Sequence, residues 1–343
     1  MTYFKGAESV CKNLLPMCWP PPKLKLVYNV QNHVSAFSYG LITSISSLYV
    51  VISTIDYLIA FIKAPELSKL LNNWNDIEDT MQKMGFGRDK IKIQYFLHYF
   101  IPFFELIPTL IFASMVTLSR FDVGYPINSV LAILYGYLPH TCYAVEDSQT
   151  LIMLKCLQVE FRQVRSFLEK NLNEGQNEVP IRKIHLILVK LRLQAKRCGE
   201  FLAPQELLSI FMTMYSTGGS FFILVTVLSD RSIENSVGDL IMIAFTSIWP
   251  LLGISRLVAK IWMAVTITKE EMEIASLLKN EELQSKLGTY GTEYFSELRQ
   301  VYNLLTANPT EVSFNNYVKL NNALILGVFQ QIFTLFIILM QFR

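Results

Sequence analysis

Hydrophobic residues along the chain gather into six runs, each long enough to cross a bilayer. A membrane span needs about 20 mostly apolar residues, because an α-helix rises about 1.5 Å per residue and the hydrocarbon layer is roughly 30 Å thick. A helix also satisfies its backbone hydrogen bonds internally, as lipid requires. The pattern therefore predicts an all-α, polytopic membrane helix bundle with spans at residues 36–62, 93–118, 127–145, 207–229, 240–265 and 321–342.

Amphipathic stripes continue between the third and fourth spans. Apolar residues recur there every three or four positions, which places each set on one helix face. The two stripes are Leu151, Leu154, Leu157, Phe161, Val164 and Leu168, and Ile184, Leu188, Leu191, Ala195, Cys198 and Leu202. A helical pattern also follows the fifth span and breaks at Asn308-Pro309. Because such stripes must be buried, we predict a cytoplasmic helical domain built from residues 147–206 and 266–312.

Together these patterns divide the chain into segments. An N-terminal segment occupies residues 1–35, and its topology is not defined by the pattern. Membrane helices follow at 36–146 and 207–265, separated by the first cytoplasmic segment. The second cytoplasmic segment leads into residues 313–343, which carry the last span.

Composition and charge support this topology. Hydrophobic residues make up 52% of the 343 residues and charged residues only 17%, which is typical of a membrane protein. Lysine and arginine concentrate in residues 63–92 and in the segment after the third span, whereas the short loops at 119–126 and 230–239 hold one arginine each. The positive-inside rule then places the basic segments in the cytoplasm and the C-terminus outside. Six spans would put the N-terminus outside too. The lysines among the first 25 residues contradict that, so we expect a further span that is unrecognised or missing.

Motifs of enzyme chemistry do not occur in the sequence. We find no glycine-rich phosphate loop, no nucleophile elbow and no pair of carboxylates with enzyme-like spacing. The five cysteines show no metal-ligand spacing. We therefore expect neither an enzyme nor a protein that needs a cofactor, a metal or a nucleic-acid partner.

The last span carries a polar stripe. Gly327, Gln331, Thr334, Ile338 and Gln341 are spaced four, three, four and three residues apart, so they share one helix face. One interpretation is interhelical hydrogen bonding, worth roughly 0.6–2 kcal/mol for each bond. The other is that the stripe lines a water-filled pore between symmetry-related copies. Both interpretations can hold, since the residues that bond to other helices and the residues that line the pore would lie on neighbouring faces of one helix.

The same span carries a recognisable ending, TLFIILMQF at residues 334–342. It resembles the C-terminal signature of insect gustatory receptors, which is Thr-Tyr, five hydrophobic residues and Gln-Phe near the chain end. Leu335 stands where that family usually has tyrosine. The multiple spans, the long basic segment and the external C-terminus agree with the same family.

This resemblance implies a ligand-gated, non-selective cation channel in the plasma membrane of sensory neurons. Four copies with seven spans each would surround one pore, alone or with related receptors, amid membrane lipids. The pore and gate residues would be Gln331, Thr334, Ile338, Gln341 and Phe342. A small-molecule tastant would bind in the outer half of each helix bundle.

The position after the tyrosine site bears on the tastant class. Sugar-responding members of the family usually carry an acidic or amide residue there, whereas this chain has Phe336. The resemblance therefore favours a deterrent, bitter ligand. A sugar-sensing or olfactory-type receptor of the same architecture is an alternative, as is a non-channel receptor or a transporter.

Candidate ligand contacts are aromatic and hydroxyl residues that the topology places in or near the outer halves of the spans. Such side chains suit a small, partly polar ligand, although most single aromatics serve packing alone. The candidates are Tyr135, Tyr137, Trp249, Thr109, Phe112, Thr217 and Phe245. Glu105 joins them, because an ionisable group near the middle of a span indicates either function or a bonded, protonated acid.

Other polar residues of the spans receive structural interpretations. His140 is expected to be a packing histidine. Asp56 lies towards the cytoplasmic end of its span, where water or a lysine should reach it. Arg256 and Lys260 lie near the inner end of the fifth span, from which their long side chains are expected to extend to the interface.

The topology predicts that an epitope tag placed after Arg343 is labelled by antibody on intact cells. A G-protein-coupled receptor would instead place its C-terminus in the cytoplasm. Labelling that appears only after permeabilisation contradicts the predicted topology, and a tag on a known cytoplasmic protein is the control.

Overall fold

The computed structural model describes residues 36–86, 96–111, 114, 126–173, 181–229, 237–285 and 292–341. Within these ranges the chain is almost entirely helical. The α-helices are α1 (Ala36–Lys83), α2 (Pro126–Asn173), α3 (Ile181–Ser229), α4 (Val237–Ser285), α5 (Thr292–Ala307) and α6 (Asn322–Met340). Two π-helical segments, Phe96–Phe100 and Pro102–Leu106, lie between α1 and α2. A short antiparallel hairpin, β1 (Ser313–Phe314) and β2 (Val318–Lys319), precedes α6.

Helices α1 to α4 are each 48 or 49 residues long. At about 1.5 Å per residue each extends roughly 70 Å, more than twice the thickness of the hydrocarbon layer. Every one of them therefore continues from a predicted span into a predicted cytoplasmic segment without a break. Pro65, just past the end of the first predicted span, lies inside α1 and does not end it.

Four helical stretches within the described residues are long and apolar enough to cross a membrane. They are Ser47–Lys83, Ile181–Ser229, Thr246–Glu281 and Asn322–Met340, which overlap the first, fourth, fifth and sixth predicted spans. Much of the second and third predicted spans lies outside the residues whose side chains are described. Large apolar side chains such as Phe61 and Ile62 are 76% and 73% exposed, as expected of residues that face lipid. The predicted all-α membrane helix bundle is confirmed.

The largest hydrophobic core includes the two amphipathic stripes of α2 and α3, which lie outside the predicted spans, and continues into the spans through residues such as Ile210 and Ile261. Every member of both stripes is at most 2% exposed, so the prediction that they are buried is confirmed. Ile267, Ile274 and Leu278 of α4 complete the core together with Leu298 and Val301 of α5. The side of the membrane on which this helical domain lies stays a prediction.

Two buried glutamates of α4 form ion pairs with the neighbouring helices of the helical domain. Glu270 is bonded by Arg162 and Arg165 of α2, at 2.8 and 2.7 Å. Glu271 accepts from Arg192 of α3 at 2.6 Å and from the Thr310 hydroxyl at 2.9 Å. These bonds fix α4 against two neighbouring helices and hold the segment that leads into the hairpin.

The hairpin rests on α3. Asn315 and Asn316 form its turn with positive φ angles of 49° and 60°, a region that asparagine tolerates better than most residues. Phe314 is fully buried. The close approach depends on Gly199, because a Cβ atom there would lie 2.1 Å from the Ser313 carbonyl oxygen. Two-residue strands carry no periodic pattern, so the sequence did not predict them.

Gly199→Ala should therefore destabilise the protein by about 1–3 kcal/mol through the clash with the hairpin backbone. Gly253→Ala is the matched control, because its Cβ would meet only the Thr213 side chain at 3.4 Å and helix propensity favours alanine. Thermal unfolding of purified protein in lipid nanodiscs measures both. Equal melting temperatures for the two variants would refute this account of the hairpin.

Candidate ligand site and buried ion network

An aromatic cluster joins three helices near the middle of the membrane bundle. Tyr49 of α1 packs edge-to-face on Tyr143 of α2 and on Trp249 of α4, with centroid distances of 5.4 Å in both pairs. His140 of α2 lies 4.4 Å from the Trp249 ring. The Trp249 indole N–H donates a hydrogen bond to the Tyr49 hydroxyl. Such rings offer stacking surfaces together with polar edges, which suits recognition of a small amphipathic molecule.

Next to this cluster lies a small cavity of about 30 Å³. Tyr49, Tyr143 and Trp249 form part of its wall, and Ser216 and Arg256 form another part. A cavity of this size holds one or two water molecules. A larger ligand therefore requires the aromatic side chains or their helices to move apart.

Four buried charged residues form an ion network on the far side of the cavity. Lys260 of α4 donates to both carboxylate oxygens of Glu206 on α3, at 2.7 and 2.8 Å, and also bonds Asp147 of α2. Arg256 of α4 pairs with the same aspartate at 3.2 Å. The four side chains are at most 6% exposed. The network therefore connects α2, α3 and α4 through charges that water barely reaches.

Two threonine hydroxyls extend the ion network. Thr150 donates to Glu206 at 2.5 Å. Thr109, in the helical segment that precedes α2, accepts a hydrogen bond from Arg256. A buried ion pair stabilises a fold only when the remaining polar atoms are also bonded, and these hydroxyls supply part of that requirement.

Carboxyl groups outnumber cations around the ion network. Asp56 and Glu146 are 4% and 5% exposed, and both lie within electrostatic range of Glu206. Within the described part of the chain neither Glu146 oxygen has a hydrogen-bond partner, and the same holds for Asp56 Oδ1. Four carboxyl groups thus share the two cations Arg256 and Lys260. The loss of either cation would leave buried carboxyl groups close together without a compensating charge.

The structure brings together only some of the predicted ligand residues. Trp249 lies in the aromatic cluster, and Thr109 lies in the ion network. Thr217 is fully buried on α3, directly before two glycines that face α6 and α1, and it does not line the small cavity. The remaining candidates have side chains outside the described residues. They are Glu105, Tyr135, Tyr137 and Phe245, whose backbones lie in helices, and Phe112.

Three expectations about charged residues are wrong. Arg256 and Lys260 do not extend to the interface, because they are only 5% and 2% exposed and are paired inside the bundle. Asp56 is not open to water, since it is 4% exposed. His140 does pack among aromatic rings, as expected.

Sequence reasoning missed the ion network because each charge was interpreted alone. A usable signal was present. Arg256 and Lys260 are four residues apart, so they share one face of α4. Asp147 follows the end of the third predicted span and Glu206 precedes the start of the fourth, so the predicted topology puts them at about the same depth. Balanced charges at one depth on three spans predict a buried network.

The predicted polar stripe of α6 faces away from its own chain. Gln331, Thr334, Ile338 and Gln341 are all exposed, and no atom lies within 4 Å of a Cβ built on Gly327. A neighbouring face of the helix buries Val328, Ile332 and Leu339, mainly against α3. The stripe therefore does not form hydrogen bonds between the described helices of one chain. Phe342, the last predicted gate residue, lies outside the described residues.

Comparison with solved structures identifies the fold. The insect olfactory receptor OR5 from Machilis hrabei matches with a TM-score of 0.60 and 14% identity, over 93% of this chain and 85% of that one. The same receptor in complex with eugenol matches with a TM-score of 0.61 and 11% identity, over 90% and 83%. No protein-family model matches the sequence, and a sequence search finds no match among characterised proteins. The chain thus has the membrane helix-bundle fold of these insect receptors.

The ion network predicts a large effect for Lys260→Met. Removal of the ammonium leaves Asp147 and Glu206 without their shared cation, which should cost about 3–5 kcal/mol of stability. Thermal unfolding in nanodiscs measures the loss.

Lys269→Met is the matched control, because that lysine lies on the same helix and its side chain is 74% exposed. The double variant Glu206→Gln with Lys260→Met removes one charge of each sign and should recover part of the stability. If Lys260→Met unfolds at the same temperature as the control, the network does not hold the helices together.

Proposed function

We propose that the chain is a subunit of a ligand-gated, non-selective cation channel that serves as a taste receptor. The observation that carries this proposal is the exposed polar stripe on the last helix of a chain with an insect olfactory-receptor fold. We propose further that four copies assemble around the stripe and that the channel lies in the plasma membrane.

Burial within the subunit supports a role for α6 in assembly. Only 11% of the most apolar stretch of α6 is buried, against 56% for the corresponding stretch of α3. Glutamine side chains that face hydrocarbon are unfavourable unless they find polar partners or water. Several copies arranged around a common axis would place Gln331 and Gln341 in water and cover the apolar flanks of α6 with neighbouring subunits.

The pore residues then have distinct roles. Gln331, Thr334 and Gln341 would contact hydrated cations through neutral polar groups. Ile338 and Phe342 would form apolar rings that close the pore by excluding water. Neutral lining of this kind does not discriminate strongly among monovalent cations, which agrees with a non-selective channel.

The ligand would bind at the aromatic cluster. Entry of a small molecule must separate Tyr49 from Trp249, because the present cavity holds only one or two waters. These residues lie on α1 and α4, and α4 also carries the two cations of the ion network. Ligand binding could thus shift α4 relative to α2 and α3, and α3 is the helix on which α6 packs.

The remaining predicted contacts are proposed to complete this pocket. Tyr135, Tyr137, Phe245 and Glu105 lie on helices that adjoin it, and Phe112, Thr109 and Thr217 are further candidates. Phe336 at the position after the tyrosine site favours a deterrent tastant, and the aromatic walls suit a partly apolar molecule. A sugar-sensing or olfactory-type receptor is the second candidate, favoured by the match to OR5.

Gln341→Ala tests the pore. In cells that express the chain, plant alkaloids, glycosides and sugars are applied while whole-cell currents are recorded. We expect a ligand-evoked cation current whose relative permeability to sodium and potassium, or whose basal level, changes in Gln341→Ala at unchanged surface expression.

Gln330→Ala is the matched control, since this exposed glutamine lies on α6 outside the stripe. If both variants conduct like the parent, the stripe does not line the pore. If surface-expressed protein gives no current with any of these ligands, the proposal of a self-sufficient taste channel is refuted.

A further inference from the structure

A second, larger cavity lies at the other end of α1 from the aromatic cluster. Its volume is about 650 Å³, enough for a drug-sized molecule. It lies between the C-terminal half of α1, the helical segment at 96–111 and the part of α2 that follows the third predicted span. Leu67, its first lining residue on α1, is 18 positions beyond Tyr49, or about 27 Å along the helix. The two cavities share no lining residue, although their walls adjoin on α2, where Asp147 lines the small cavity and Ser148 lines the large one.

Apolar and aromatic side chains form most of the wall of this cavity, including Leu67, Trp74, Met81, Phe86 and Met153. Its charged lining residues are all acidic. Glu78 of α1 and Glu160 of α2 contribute carboxyl groups, and the described lining contains no lysine or arginine. An organic anion would meet only acidic groups here, whereas a cation would be attracted.

Glu160 is the polar group best placed to bind a ligand. It is 5% exposed, and its Oε1 accepts a hydrogen bond from the Trp74 indole N–H. Its Oε2 has no hydrogen-bond partner in the described part of the chain. A buried carboxylate oxygen without a donor is unfavourable by about 1–3 kcal/mol or more, so a ligand that supplies a donor gains affinity.

The other buried polar atom of the lining without a partner in the described chain is the Gln149 amide nitrogen. It carries no charge and does not repel a cation as a lysine would. The lining thus combines a long apolar wall with one buried carboxyl oxygen that lacks a donor.

We propose that this cavity is a second ligand site, which binds hydrophobic amines. The protonated amine would donate to Glu160 Oε2 while the apolar body packs between α1 and α2 among Leu67, Met81 and Met153. The pairing satisfies the buried oxygen and neutralises its charge in one contact. This inference does not depend on channel activity or on the identity of the tastant.

The protonation of Glu160 gives the site a distinctive pH dependence. This residue lies about 15 positions past the third predicted span. Burial raises the pKa of its carboxyl to about 8, the Trp74 hydrogen bond opposes the rise, and Glu78 adds to it. The titratable groups that face it are Glu78 of α1, Cys156 of α2 and Cys198 of α3.

At pH 6.5 the empty site therefore holds mostly neutral acid, which must lose its proton before it can pair with an ammonium. Amine affinity should rise by about twentyfold between pH 6.5 and pH 8.5, while most of an amine with a pKa near 9 or above stays protonated.

Calorimetric titration of the purified chain in phosphatidylcholine nanodiscs tests the proposal, with empty nanodiscs subtracted. The probes are 1-naphthylmethylamine, 1-naphthylmethanol and 1-naphthoate, which share one body and differ in head-group charge. At pH 8 we expect the amine to bind at least about tenfold more tightly than the alcohol, and the anion not to bind.

Glu160→Gln keeps an acceptor for Trp74 but removes the charge, so it should abolish the preference for the amine and its pH dependence. Glu169→Gln, the same change at a side chain on α2 that is 45% exposed and outside the cavity, should alter neither. Ile152→Trp, which fills the cavity, should weaken the binding of both the amine and the alcohol.

Two results would overturn the proposal. One is equal affinity of the parent protein for the amine and the alcohol. The other is an amine preference that survives in a correctly folded Glu160→Gln variant. Should Glu160→Gln fail to fold, the Ile152→Trp variant together with the pH series of the parent protein decides the matter.

Discussion

Four charged side chains from three helices meet inside the bundle, and the arrangement of the chain depends on their pairing. Asp147 and Glu206 are bonded to Arg256 and Lys260 where water is nearly absent. In such surroundings an unpaired charge is far more costly than a poor apolar contact, so any movement of α2, α3 and α4 relative to one another must keep these charges paired. The ion network thus sets the relative positions of the helices on both of its sides.

The regions on the two sides of the ion network differ in character. Towards the start of α1, aromatic rings from α1, α2 and α4 surround a cavity that is nearly closed. Towards the end of α1, an apolar cavity of about 650 Å³ contains acidic groups alone among its described charged residues. Because α1 and α2 line both cavities, a molecule bound in one cavity acts on helices that also form the other.

Helix α6 lies outside the ion network and buries little of its surface within the subunit. It packs on α3 through Val328, Ile332 and Leu339 and leaves its polar stripe exposed. The start of α6 is fixed by Asn321, whose side chain accepts from the Leu324 N–H at 3.3 Å, and by the hairpin that precedes it. The hairpin in turn rests on α3 at Gly199. Both the hairpin and α6 itself therefore contact α3, which is the most buried of the four candidate spans among the described residues.

Periodicity and composition determined much of this protein by themselves. A run of 20 apolar residues has only one way to satisfy its backbone in lipid, and a three-to-four spacing defines a face, so the spans, the buried stripes of α2 and α3 and the exposed stripe of α6 were all predictable. Contacts between distant residues were not. Arg256 and Lys260 look like interfacial residues until Asp147 and Glu206 are placed beside them. Likewise, the burial of Glu160 among apolar side chains, with no donor for its Oε2, results from the packing of α1 across α2. Pairing and burial depend on which helix faces meet, and tertiary packing alone decides that.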